Sequence, residues 1–110
     1  MERVDLPCGI TKEMVAAWKE KFGANKIALI SVQKDENTTL HAFVRHPDIK
    51  ILSAAGSVVD KDPIKSGIIL FENCWLAGDD EIRNDDELKM GVITEINALF
   101  KIRKATTENL

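Results

Sequence analysis

No tyrosine occurs in this 110-residue chain, and aromatic residues make up only 5% of it. Platforms for single-stranded nucleic acid stack bases on aromatic faces, so that class of function has little material here. Cysteine is equally scarce. Cys8 and Cys74 are separated by 65 residues, with no CxxC pair and no second close partner. A bridge between them stays open on spacing alone, but isolated cysteines in a reducing compartment read as free thiols. Long apolar runs are missing as well. The most apolar stretch, Ser66 to Phe71, falls far short of the ~20 residues that span a bilayer, so no membrane partner is expected. The opening MERVDLPCG lacks the apolar core of a secretory signal, which makes the cytoplasm the expected compartment. Nor is there an excess of positive charge. Residues 1–70 carry ten basic and nine acidic groups, residues 71–110 five and nine, for a net charge of −3. Without a basic stripe to neutralise phosphates, no nucleic-acid partner is expected.

What is present suits a folded domain. Hydrophobic residues at 45% beside charged residues at 30% supply a core and a solvated surface. The whole chain, 1–110, reads as one domain. Thr11 opens a helix over 11–22 that places Met14, Val15, Trp18 and Phe22 on one face, and Gly23 closes it. Residues 26–45 read as a β-hairpin, Lys26–Gln33 and Thr39–Arg45 around a polar turn at 34–37. Leu40, Ala42 and Val44 would share one face, with His41, Phe43 and Arg45 on the other. Pro47 stops the second strand, and residues 48–104 form the helical part. Asp48 caps a helix with Leu52, Ala55, Gly56 and Val59 on one face. Its small residues at 54–57 would permit close helix approach. Asp62 and Pro63 open a third helix, with Ile64, Ile68, Phe71 and Trp75 as its stripe, widened by Ile69 and Leu76 and ended by Gly78. An acidic loop follows at 79–87. Asp85 or Asp86 then caps a last long helix, bearing Leu88, Val92, Ile96 and Leu99 with Ile93 and Phe100 at the flanks. Lys101, Arg103 and Lys104 would sit at its end, and residues 105–110 form a tail. The expected fold is α+β: an antiparallel hairpin packed against a bundle of three to four helices, because two strands alone are not stable in water.

Chemistry is sparsely signalled. The acidic loop fails the EF-hand spacing, since Arg83 falls on a ligand position and no Gly stands at the sixth place; capping and solvation account for it. His41 and His46, five apart, would point to opposite sides of a strand and share no metal. Ser66 and Cys74 have no nucleophile-elbow or phosphate-loop context, so enzymatic activity is not expected and no cofactor is implied. Trp75 and Leu76 continue the apolar stripe past what a helix face needs. They read either as a plug in the core or as an interface anchor.

The order of several short motifs resembles the small tail-assembly chaperones encoded by tailed bacteriophages and prophages. Phe43-Val44-Arg45 followed by His46-Pro47 is similar to the close of that family's hairpin. Leu52-Ser53-Ala54-Ala55, then Lys61-Asp62-Pro63-Ile64, is similar to its next two helices. Leu70 through Ile82, with Cys74-Trp75 and Gly78-Asp79-Asp80-Glu81, resembles its apolar, Cys-Trp, Gly-acidic segment, and Asp85-Asp86-Glu87-Leu88 fits the last helix. The resemblance covers residues 26–104 and leaves 1–25 unmatched. It implies binding rather than catalysis. The partner would be a tail-tube or tape-measure subunit in the host cytoplasm, held soluble until assembly and contacted through Trp75, Leu76, Asp79, Asp80 and Glu81. Self-association stays open. The rival readings are a structural phage component, either head–tail joining or capsid-associated, and a small regulatory adaptor whose Lys101, Arg103 and Lys104 meet phosphates.

Overall fold

Short-range capping chemistry fixes most element boundaries. The computed structural model describes residues 6–110. A 3-10 turn at Pro7–Gly9 leads into helix α1, Lys12–Phe22, whose N-terminus is capped by Thr11 Oγ1 accepting the Met14 N–H at 3.1 Å. Gly23, at φ 120°, donates its N–H to Lys19 O and ends the helix. Strands β1 (Ile27–Asp35) and β2 (Thr38–Arg45) form the hairpin, its turn braced by Asp35 Oδ1 accepting the Asn37 N–H at 2.9 Å. Helix α2, Ile49–Gly56, starts on Asp48, which accepts the Ile51 N–H. Helix α3, Pro63–Cys74, starts on Asp62 with Pro63 in its first turn.

The chain then departs from the sequence reading. Gly78 does not end α3. The helix stops at Cys74, and Trp75–Gly78 becomes strand β3, antiparallel to β2 in a sheet of order β1-β2-β3. The expected hairpin is therefore two thirds of a sheet, and 48–104 is not wholly helical. The acidic segment is also ordered: helix α4 spans Asp80–Asn84 and α5 spans Asp86–Leu99, with Asp85 as the cap. Helix α5 ends at Leu99, so Lys101, Arg103 and Lys104 lie beyond its last turn. From Phe100 onward the chain forms neither helix nor strand.

The sheet carries material on both faces. Ala28, Ile30, Val32, Leu40, Ala42 and Val44 pack with Ile51, Leu70, Phe71, Cys74, Ile82, Leu88, Val92, Ile93 and Ile96 in the main core. On the other face Phe43, buried, meets Trp18 of α1 with ring centres 5.8 Å apart. The alternation expected for β2 is thus present, yet both of its faces are covered. Trp18 is half-buried, and no residue of α1 is fully buried.

Two helix faces turn out rotated from expectation. In α2 the buried residues are Ile51 and Ala55, while Gly56 and Val59 are exposed; Val59 lies beyond the helix end. In α3 they are Ser66, Leu70, Phe71 and Cys74, leaving Ile64 61% and Ile68 37% exposed. The reason lies in the small side of α3. Ser66 Oγ donates to Ala55 O at 2.7 Å, and a Cβ at Gly67 would stand 3.2 Å from Ile93 Cγ2. Helices α2 and α5 close onto that narrow side, and the isoleucine row is left outside.

Candidate partner-binding surface

The surface is built around β3 and the turn that follows it. β3 is an edge strand, and its pairing with β2 is irregular. Phe43 lies opposite Ala77 and Val44 opposite Trp75, so Leu76 is an extra residue that bulges from the ladder. Trp75 is half-buried. Its ring centre lies 5.2 Å from that of Phe71, and the Arg83 guanidinium carbon lies 5.7 Å away. It therefore serves partly as a core wall and partly as surface. Leu76 is half-buried beside it.

Gly78 allows the strand to come this close. A Cβ there would lie 2.5 Å from His41 O and 2.8 Å from Ala42 Cα, both backbone atoms. Asp79 then clamps the same place. Its N–H donates to His41 O at 2.9 Å, and its Oδ2 accepts the His41 N–H at 2.8 Å. The carboxylate thus continues the sheet as a backbone carbonyl would, and much of its hydrogen-bonding capacity is spent inward. Asp80 and Glu81 start α4 and are exposed, and Glu81 Oε2 pairs with Lys34 Nζ at 2.7 Å across to β1. Ile82, fully buried, pins this short helix to the core. The five sequence-derived residues fall on one strand–turn–helix corner. Of them, Asp79 and Glu81 have structural partners, Trp75 is shared with the core, and Leu76 and Asp80 are the most available.

The other candidate chemistry resolves plainly. Cys8 and Cys74 are both free thiols. Cys74 is buried, and burial pushes its thiol up to about 11. Cys8 is exposed at φ 61°, with Sγ 3.9 Å from His41 O; partial burial and the nearby Asp79 raise its pKa. Both histidines are half-buried. Among the described residues, no three His, Cys, Asp or Glu side chains gather as a metal site. No helix there is long and apolar enough to cross a membrane.

One further site was visible in the sequence only through Lys101 and Arg103, not as an enclosed cleft. A cleft of about 630 Å³ opens where the end of β2 meets the start of α2 and the chain beyond α5, lined by Lys26, Arg45, His46, Asp48, Lys101 and Arg103 among others. Lys26, Arg45 and His46 are neighbours through the hairpin, but Lys101 and Arg103 lie more than fifty positions further on and no local pattern links them to it. Compared with known protein families, with curated proteins and with solved structures, the chain matches none.

Proposed function

We propose that this protein is a tail-assembly chaperone-like factor that binds a tail-tube or tape-measure subunit of a phage or prophage and delays its polymerisation. The ordered motifs from Phe43 to Leu88 suggest the class. The single observation that carries the reading is the β3 edge. A short strand with half-exposed Trp75 and Leu76 ends the sheet, and exposed Asp80 and Glu81 stand immediately beyond it. A sheet edge is a ready acceptor for an extended segment of a partner, and self-assembling tube subunits present such segments. A small apolar centre with a charged rim suits a contact that must later be released. The acidic rim steers basic patches toward that edge.

The test is co-expression of the full chain with a tail-tube protein. Co-elution of the two as a soluble complex, with self-polymerisation of the tube suppressed, is the expected result. A Leu76→Glu, Glu81→Lys double substitution should weaken co-elution at least tenfold while circular dichroism stays native. Failure to bind or to suppress polymerisation removes the reading. Stoichiometric presence of the chain in purified particles would replace it with a structural role.

A further inference from the structure

The polar cleft at the far end of β2 has a charge balance opposite to that of the whole chain. Lys26, Arg45, His46, Lys101 and Arg103 line it against one carboxylate, Asp48, in a molecule of net charge −3. That carboxylate is already committed. Asp48 accepts the Ile51 N–H at 2.9 Å and pairs with Arg45 Nη2 at 2.9 Å. The remaining cationic groups have no anion of the described chain among the lining residues.

The floor of the cleft is held rigidly. Arg45 lies with its guanidinium carbon 4.4 Å from the Phe22 ring centre, which together with Asp48 fixes the plane of the fork. Its Nε is buried and has no hydrogen-bond partner among the described residues. The His46 backbone N–H donates to Lys26 O at 2.7 Å, and Pro47 is buried behind it. The rim is looser: Lys26, Lys101 and Arg103 are exposed on flexible stems. Phe22 and Phe100 add an apolar wall. Such a site, about 630 Å³ in volume, matches the size of pockets that hold small organic ligands.

We propose that this cleft binds a small phosphate ester, with Lys26, His46, Lys101 and Arg103 closing around the phosphate and the fixed Arg45 fork beneath it. Guanidinium and ammonium groups lining one cleft suit a compact dianion, and the phenyl rings suit an organic body attached to it. His46 already senses the local field. Burial lowers its pKa, and the Lys26 and Lys101 ammonium groups lower it further, so the positive potential is present before any ligand arrives. Asp48 is the one acidic lining group opposing that potential, and Arg45 and Arg103 reinforce it. This site lies apart from the β3 corner and does not depend on the assembly role proposed for that corner.

The experiment is an NMR titration of the histidine ring protons of the full chain with pyrophosphate, using sodium chloride at equal ionic strength as the control. Saturable movement of His46, with its pKa raised by about one, is expected because a bound dianion favours the imidazolium. His41, on the ladder beside Asp79, serves as the unmoved reference. A Lys101→Gln, Arg103→Gln variant alters only chain beyond the last helix and should bind pyrophosphate at least tenfold more weakly with an unchanged dichroism spectrum. Absence of saturation, equal movement with chloride, or undiminished binding by the variant overturns the proposal. So does retention by duplex DNA or anionic vesicles without pyrophosphate binding, since that would assign the charge to a polymer or a lipid surface.

Discussion

Replacing Gly78 by alanine tests the geometry of the β3 corner more sharply than any side-chain deletion. The new Cβ would lie 2.5 Å from His41 O, 2.8 Å from Ala42 Cα and 2.9 Å from the Trp75 ring. Two of these neighbours are backbone atoms of the central strand and cannot rotate away, so β3 has to move. Overpacking of this kind costs roughly 1–3 kcal/mol. Displacing β3 also stretches the two bonds between Asp79 and His41, at 2.9 and 2.8 Å, each contributing about 1 kcal/mol or somewhat more where the carboxylate accepts. The expected loss is therefore about 3 kcal/mol, which in a domain of this size lowers Tm by roughly 12 °C. Urea unfolding followed by circular dichroism measures it as a lower midpoint at unchanged slope. Gly56→Ala supplies the opposite sign from the same physics. Nothing lies within 4 Å of its added Cβ, and the residue is helical, so a gain of about 0.5 kcal/mol is expected. A Gly78→Ala protein within about 0.5 kcal/mol of the parent would refute the close approach of β3 to β2, and the partner-binding corner with it.

Two further outcomes follow from buried groups. Ile82→Ala removes the fully buried anchor of α4 and should cost about 2–5 kcal/mol in urea unfolding, with earlier proteolytic cutting between Asp79 and Asp85. The Cys74 thiol, pushed from an ordinary 9.0 to about 11 by burial, ionises more readily in the unfolded chain than in the folded one. Its contribution to stability is therefore complete below pH 9 and lost as pH rises toward 11. Cys74→Ala should flatten that alkaline decline in the pH–stability curve, and a disulfide reagent at neutral pH should label Cys8 while sparing Cys74 until unfolding.

The elements legible in the sequence are those decided locally. Thr11, Asp48, Asp62 and Asp85 each bond a backbone N–H three residues on, and such contacts need nothing from the rest of the chain. The hairpin was legible for a similar reason, since its turn closes on its own Asp35. β3 was not. Residues 68–77 form a nearly continuous apolar run whose periodicity does not separate a helix from a strand. The break after Cys74 comes from β2, which offers a free edge only once the hairpin has formed. The misplacement of Ile64 and Ile68 has the same origin. Helical spacing identifies a row of apolar residues, but the side of α3 that faces inward is chosen by how closely α2 and α5 approach Ser66 and Gly67. The basic cleft is the extreme case, because the hairpin brings Lys26 to Arg45 and His46, but Lys101 and Arg103 reach them only through the tertiary fold.

The acidic segment 79–87 shows why charge counted along a chain overstates what a surface can use. Asp79 is bonded to the His41 backbone, Asp85 caps α5, and Glu81 is paired with Lys34. The Lys34 pair is half exposed and contributes little to stability, yet it screens one of the charges that would steer a basic partner. Asp80, Asp86 and Glu87 are left to act at a distance. Any attraction exerted by this corner is consequently weaker than six carboxylates would suggest, and salt screens it further. On the proposed reading, specific recognition would then fall on the backbone edge of β3 and on Leu76, whose bulge interrupts the ladder where a partner strand would have to start.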